Sequence, residues 1–253
     1  MTDRTDAGAI GRMPAWFPDE LAHAGQEHLD PAYIPTYDAK AQTVPDEDLA
    51  ILARYGFGPD STLIDLGAGT GTFALAAAER CRVVTAVDVS PLMLEAIRRK
   101  AEGTGIANLT TVQAGFLSYA HAGAPVDVVY SRHALHHLPD FWKAVALVRI
   151  ARMLEPGGIL LLRDLVYDLQ PGEVEAAMED WFAHAAPTPD VGWTRAELEE
   201  HVREEFSPFS WVLEPMLERS GFRIEEVQRS GRLYAAYVCR LVPEAGEASS
   251  DAS

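Results

Sequence analysis

The residues best suited to bind a ligand or take part in chemistry lie in one short stretch, DLGAGTG at positions 65–71. An apolar run ends there at an acid, and three glycines follow at alternate positions. Glycines at such a turn let the backbone approach a ligand closely, because a side chain would stand in the way. The dinucleotide fingerprint G-x-G-x-x-G differs, since here the third glycine comes one residue early. An acid directly ahead of the glycines would repel a pyrophosphate and attract an ammonium group, so a ligand with an amino group is favoured.

Short apolar runs alternate with helix-like segments and define the elements that must hold this turn. The runs are β-branched or continuously apolar, which is typical of buried parallel strands. Strands separated by helices predict an α/β fold with a parallel sheet. Two later runs joined by an Arg-Ser-Gly turn predict a C-terminal antiparallel hairpin. The predicted strands are 62–66, 83–89, 109–113, 126–131, 158–164, 222–228 and 232–240.

Four motifs in this order resemble those of the class I S-adenosylmethionine-dependent methyltransferases. The glycine turn is followed by VDVSPLMLEAIRRKA (87–101), DVVYSRHALHHLPD (127–140) and RIARMLEPGGILLLRD (149–164). The likeness covers roughly residues 63–164. It implies a Rossmann-like seven-stranded, mostly parallel sheet with a C-terminal antiparallel hairpin and a helical cap. It also implies S-adenosylmethionine as cofactor and S-adenosylhomocysteine as product.

The resemblance assigns roles to individual residues. Asp65 would serve the amino end of the methionine moiety, and Asp88, at the end of the second strand, would accept the two ribose hydroxyls. Tyr37 and Lys40 precede the first strand, in a segment that many relatives fold over the cofactor. The cofactor-contacting residues so implied are Asp65, Gly67, Ala68, Gly69, Gly71, Asp88, Val89, Met93, Gly115, Phe116, Ser131, Tyr37 and Lys40.

One position departs from the family pattern. Relatives often carry an acid after the third strand that bonds the exocyclic amine of adenine, and Gly115 stands at the matching place in VQAGFLSY. Backbone N–H groups of Gly115 and Phe116 could still meet the ring, and Phe116 offers an apolar face.

Three histidines near the fourth predicted strand could take part in catalysis. His133, His136 and His137 raise the alternative of a metal site, because imidazole is a common ligand. No carboxylate or cysteine pattern accompanies them, so the sequence predicts no metal. Packing beside the cofactor and proton transfer both stay open, and the candidate bases are His133, His136, His137 and Tyr37.

Composition limits the partners. The chain has 253 residues and a net charge of −17, which disfavours nucleic acid and anionic membranes. No apolar run reaches the roughly 20 residues of a membrane span, and two cysteines are too few for a disulfide framework. A cytoplasmic protein is expected. The predicted domain spans 21–242, with cap segments at about 21–55 and 165–215, between disordered tails at 1–20 and 243–253.

Methyl transfer to a small-molecule acceptor by in-line displacement is therefore the predicted function. Four tryptophans outside the motif region favour an apolar or aromatic acceptor pocket, namely Trp16, Trp181, Trp193 and Trp211. Three alternatives stay open: a cyclase or isomerase that keeps the cofactor without transferring its methyl, a cofactor-binding module without turnover, and a nicotinamide-dependent enzyme. The sequence specifies neither the acceptor and its methylated atom nor the oligomeric state.

Overall fold

The computed structural model describes residues 14–23, 25, 30–31, 34–41 and 44–242. A seven-stranded sheet has the order β3-β2-β1-β4-β5-β7-β6, in which only β7 runs antiparallel to its neighbours. The strands are β1 Thr62–Leu66, β2 Val83–Asp88, β3 Leu109–Gln113, β4 Val126–Arg132, β5 Leu154–Leu165, β6 Phe222–Ser230 and β7 Tyr234–Leu241. The predicted fold class is thereby confirmed.

Eight α-helices cover the sheet and its carboxyl edge within the described residues. Short 3₁₀ turns at Leu135–His137 and Pro171–Glu173 interrupt the connections. The helices are α1 Ile34–Ala41, α2 Pro45–Arg54, α3 Thr72–Ala78, α4 Pro91–Thr104, α5 Asp140–Ala151, α6 Val174–Ala183, α7 Arg195–Glu204 and α8 Ser210–Arg219.

Two apolar layers bury the two faces of the sheet. Helices α2, α3 and α4 pack on one face, and α5 and α8 pack on the other. A third, smaller cluster joins α6 to the chain just beyond β5 through Tyr167, Leu169, Met178 and Leu233. Since the parallel strands end at this edge, α6 and α7 lie where ligands bind in open α/β sheets.

The C-terminal hairpin enters the sheet by its second strand. In β7, residues 235–239 are continuously buried, whereas β6 has mostly exposed or half-buried residues. The apolar strand therefore lies between β5 and β6, and the more polar strand forms the edge.

A buried carboxylate fixes α2 to the middle of the sheet. Asp48 is fully buried and accepts hydrogen bonds from Arg163 Nε at 3.0 Å and from the Tyr130 hydroxyl at 2.6 Å. Arg132 Nη1 lies 3.3 Å from the same carboxylate. Two guanidinium groups and a phenol thus compensate one charge that would otherwise be costly to bury.

Part of the predicted N-terminal tail contacts the core. Phe17 packs against the core and Trp16 stacks on Trp142, with ring centroids 6.0 Å apart. The polar composition of the segment does not reveal these apolar contacts. The predicted disorder of residues 1–13 and 243–253 lies outside the described residues.

Candidate active site

The glycine turn joins β1 to α3, and tight packing explains two of its glycines. A Cβ on Gly67 would lie 2.3 Å from the Ala134 Cβ, and one on Gly71 would lie 2.7 Å from Ile97 Cγ1. Both residues also have positive φ, 74° and 81°, which L side chains rarely adopt. The turn can therefore lie close to both α4 and the segment after β4.

Asp88 lies across the turn at the end of β2. Its Oδ2 accepts a hydrogen bond from the Gly69 N–H at 2.8 Å, and its Oδ1 accepts one from the Ser90 N–H at 2.8 Å. Burial raises the pKa of Asp88 to about 6, although these backbone donors oppose the shift. The carboxylate is thus oriented, largely ionised at neutral pH and able to accept further hydrogen bonds.

Asp65 is a buried acid that lacks a cationic partner among the described residues. It is 2% exposed, and burial followed by repulsion from Asp88 and Asp48 raises its pKa well above the usual range. No described residue is seen to donate a hydrogen bond to its side chain. A bound ammonium group would remove the electrostatic penalty of this carboxylate, so the site fits a ligand with an amino end.

Two adjoining pockets open on the glycine turn, and they share Tyr37, Gly67 and His133. We name them after their acids. The Asp88 pocket is further lined by Glu20, His23, Gly69, Val89, Ala114, Gly115, Phe116, Ala134, His137 and Leu138. The Asp65 pocket is further lined by Ala68, Thr70, Thr72, Phe73, Tyr130 and Arg132.

A carboxylate from the N-terminal segment fills the space beside Gly115. Glu20 accepts hydrogen bonds from the N–H groups of Leu117 and Ser118, both at 2.9 Å, and from the Ser118 hydroxyl at 2.7 Å. A Cβ on Gly115 would lie 2.4 Å from Glu20 Oε1. The acid expected after β3 is thus absent from position 115, and Glu20 places a carboxylate there instead. Only the missing acid at position 115 hinted at such a replacement.

Tyr37 and Lys40 lie on α1 and face different spaces. The Tyr37 ring lies 3.3 Å from an ideal Cβ on Gly69, in both pockets. Burial, then Asp88 and Asp38, raise the pKa of Tyr37, so its hydroxyl stays protonated and suits a donor better than a base. Lys40 lines neither pocket; its Nζ lies 2.5 Å from Glu197 Oε1, at α7.

The three histidines have different surroundings. His133 lines both pockets, and burial lowers its pKa to about 3, so its ring is neutral at pH 7. Its φ of 50° is the one positive value at a non-glycine position in the described chain, a strain typical of functional sites. His136 lines neither pocket; burial opposes its protonation, but Asp164 and Glu205 raise its pKa to about 10. His137 faces the Asp88 pocket.

Some predicted residues support the site without lining either pocket. Ser131 is fully buried and donates to the Leu66 carbonyl at 2.9 Å, and Met93 is buried in the first turn of α4. Their side chains serve packing because they point into the protein. The predicted site residues outside both pocket linings are Gly71, Met93, Ser131, Lys40 and His136.

A larger open cavity of about 500 Å³ lies in the cap formed by α1, α6, α7 and their loops. Trp181, Trp193 and Tyr234 line it, and the Tyr234 ring lies 5.9 Å from the His133 ring. Lys40, which the sequence predicts at the cofactor, also lines this cavity. Of the other predicted pocket tryptophans, Trp16 packs on Trp142 and Trp211 is 51% exposed.

Known proteins that are similar in sequence to this chain include methyltransferases. Residues 63–158 match the family described as "Methyltransferase domain". A trans-aconitate 2-methyltransferase from Azoarcus sp. is 28% identical over 214 residues, which cover 80% of this chain and 79% of that protein. A 27-O-demethylrifamycin SV methyltransferase from Amycolatopsis mediterranei is 31% identical over 176 residues, which cover 67% of this chain and 63% of that protein.

Solved structures share the fold. A methyltransferase from Aquifex aeolicus that depends on S-adenosylmethionine gives a TM-score of 0.60 at 19% identity, covering 84% of this chain and 99% of that one. None of the helices that the structure describes is long and apolar enough to cross a membrane. Matched motifs, sheet order and relatives agree, and the chain belongs to the class I S-adenosylmethionine-dependent methyltransferases.

Proposed function

We propose that this enzyme transfers the methyl group of S-adenosylmethionine to a small molecule bound in the cap cavity. The observation that carries the proposal is the position of His133, which lines both pockets at the glycine turn and packs against Tyr234 of the cavity wall. An acceptor that extends past Tyr234 would meet the cofactor at its sulfonium, where the adenosine and methionine parts join.

The two pockets fit the two ends of the cofactor. Asp88 would accept the ribose hydroxyls, with Val89 and Phe116 beside the adenosine. Asp65 would hold the amino group of the methionine moiety, because that carboxylate is buried with no described cation beside it. Glu20 would accept a hydrogen bond from the exocyclic amine of adenine. The bound cofactor supplies an activated methyl group, so the chain mainly aligns the reactants and excludes water.

His133 is the residue that we assign to the acceptor proton. Its neutral ring can accept a hydrogen bond from an acceptor hydroxyl and so orient it, although a pKa of about 3 makes the ring a weak base; the Tyr37 phenol stays protonated and cannot take the proton. His136 is held between two carboxylates away from both pockets, which removes it from direct proton transfer. For an amine or thiol acceptor no base is required, and His133 would then only position it.

The cavity favours an apolar or aromatic acceptor. Trp181 and Trp193 supply large flat surfaces, and Lys40, 5.3 Å from the Trp193 ring centroid, adds one cationic group. A net charge of −17 disfavours nucleic acid as the substrate. We also propose a cytoplasmic location, which the two buried free cysteines, Cys81 and Cys239, support.

Ligand-dependent thermal unfolding tests the cofactor site. S-adenosylmethionine and S-adenosylhomocysteine at 100 times their Kd should stabilise the protein by about 2.7 kcal/mol, whereas NAD should have no effect. Asp88→Ala should abolish the shift, and Asp60→Ala, at an exposed acid, should retain it. An unchanged shift in Asp88→Ala would contradict the ribose assignment.

Turnover tests the acceptor site. The assay measures S-adenosylhomocysteine released from a panel of phenolic and other aromatic small molecules. Trp193→Ala should raise the acceptor KM while the cofactor Kd stays constant, and Trp211→Ala, at an exposed tryptophan outside the cavity, should leave both unchanged. Conversion of a substrate without released S-adenosylhomocysteine would instead support the cyclase or isomerase alternative.

A further inference from the structure

A cluster outside both pockets gathers two imidazoles and a carboxylate at one point. His136 Nε2, His201 Nδ1 and a carboxylate oxygen of Glu205 all lie within 4.8 Å of one another. His136 Nε2 is 2.9 Å from Glu205 Oε2, and His201 Nδ1 contacts the same oxygen. We propose that these three residues bind a divalent transition-metal ion of the Zn²⁺ type.

The backbone brings these ligands together from distant parts of the chain. His201 and Glu205 are four residues apart, so they lie on the same side of the last turn of α7 and its C-cap. His136 comes from the 3₁₀ turn after β4. A hydrogen bond of 2.9 Å from the Phe206 N–H to the His136 carbonyl holds the end of α7 against that turn. The ligand positions are therefore fixed by backbone contacts as well as by their side chains.

Each imidazole has its second nitrogen held by an oxygen. His136 Nδ1 lies 2.5 Å from Asp164 Oδ1, and His201 Nε2 lies 2.9 Å from Ser207 Oγ. Metal-bound histidines almost always have such a partner, which orients the ring and directs its free lone pair at the ion. Asp164 is itself fixed, because it also accepts hydrogen bonds from the backbone N–H groups of His136 and Leu165.

The carboxylate oxygen that both imidazoles approach, Glu205 Oε2, is not satisfied by a hydrogen bond within the described part of the chain. Glu205 Oε2 is buried and has no hydrogen-bond partner of acceptable geometry among the described residues, despite the two imidazole nitrogens beside it. A bound ion would displace any proton from the two inner nitrogens, while the outer nitrogens donate to their oxygen partners. Three donor atoms would then face one another, an arrangement that a cation stabilises.

The donor set selects the class of ion. Two imidazoles and one carboxylate suit Zn²⁺, Fe²⁺ or Co²⁺ better than Mg²⁺ or Ca²⁺, which prefer oxygen ligands. Bonds of about 2.1 Å at tetrahedral angles place ligand atoms about 3.4 Å apart, so side-chain rotations would have to lengthen the two contacts to Glu205 Oε2 to admit the ion. The ion would join α7, which carries the Lys40 partner Glu197, to the turn beside His137, and would thereby hold the cap over the active site.

Metal titration of the tag-free, chelator-treated full chain tests the proposal. We expect one equivalent of Zn²⁺ to bind and raise Tm, and Co²⁺ to give visible d–d absorption. His201→Ala and Glu205→Gln should weaken Zn²⁺ binding more than about 100-fold, since loss of an outer partner alone costs 10–100-fold. His184→Ala and Glu204→Gln, at an exposed histidine and acid of the same cap, should bind as the wild type does.

Together, His201→Ala and Glu205→Gln distinguish the loss of a metal ligand from a folding defect. Glu205→Gln keeps the size of the side chain, so its circular dichroism should match that of the wild type even if His201→Ala unfolds. Failure of wild-type protein to bind Zn²⁺ at micromolar concentration, or retained binding in Glu205→Gln, would overturn the proposal. Either result would identify the cluster as ion pairs between protonated histidines and carboxylates, without a metal ion. The cofactor-dependent thermal shift is measured separately, so this outcome leaves the proposed function untouched.

Discussion

Removal of the Glu20 carboxylate tests how the enzyme recognises adenine. Glu20→Ala deletes a group that receives three hydrogen bonds from Leu117 and Ser118 and still has lone pairs that face the Asp88 pocket. A hydrogen bond to a charged group is worth about 1.5–3 kcal/mol. Loss of the bond from the adenine amine should therefore weaken S-adenosylmethionine binding about 10- to 160-fold.

Calorimetric titration of the cofactor measures this change, and position 115 supplies the matched control. Gly115→Ala should displace the Glu20 carboxylate, because its Cβ would lie 2.4 Å from Oε1. This variant should weaken binding in the wild type and add nothing in Glu20→Ala. Gly115→Asp combined with Glu20→Ala should recover most of the affinity, since the carboxylate returns from the β3 side.

An unchanged Kd in Glu20→Ala would refute the assignment. Tighter binding in that variant would show that Glu20 competes with adenine for the pocket and blocks it. Additive losses in Gly115→Ala and Glu20→Ala would show that the two positions act independently. Asp19→Asn, at the neighbouring acid, controls for the general loss of negative charge.

Three further predictions concern charge and packing. Burial raises the pKa of Asp88 to about 6, and in the proposed site its ionised form would accept the ribose hydroxyls. Cofactor affinity should therefore fall about tenfold from pH 7 to pH 5, which calorimetry at both pH values checks; a flat profile would contradict this role. Asp48→Ala should cost about 3–5 kcal/mol in urea unfolding, because it leaves two half-buried guanidinium groups unpaired. Asp46→Ala, at an exposed residue of the same helix, should cost about 1 kcal/mol or less, the value of a surface pair; equal losses would contradict the argument. In thermal unfolding, Gly71→Ala should destabilise the protein by about 1–3 kcal/mol, because its Cβ would clash with Ile97 and φ is positive. Gly103→Ala is the control: it lies in α4 with open space around it and should stabilise the protein by about 0.5–1 kcal/mol. An unchanged stability in Gly71→Ala would show that the turn adapts.

The sheet could be predicted because its signals are local. Continuous β-branched runs bounded by glycine or polar residues gave the observed bounds of β1 and β3, 62–66 and 109–113. The acid and glycine pattern placed Asp65, and the family resemblance placed Asp88, at the carboxyl edge, since strand ends of a parallel sheet meet there.

The remainder of the site depends on contacts between distant segments. Glu20 reaches residues 117 and 118, and Lys40 reaches Glu197, 157 positions away. Neither pairing leaves a periodic pattern, because both residues lie on the cap, whose position follows from tertiary packing. The sequence does not group His136 with Glu205 for the same reason, because only the fold brings the two residues together.

Helix α1 forms part of the wall of two chambers at once. Tyr37 lies in the pockets at the glycine turn, and Lys40, three residues later, lies in the cap cavity. Asp38, between them, pairs with Lys100 at 2.6 Å and so ties the helix to α4. The cap cavity is already open, so a methylated product could leave it without a movement of α1, whereas spent cofactor would leave the pockets that Tyr37 lines only when α1 moves. We therefore expect an ordered kinetic cycle, in which the methylated product departs before S-adenosylhomocysteine.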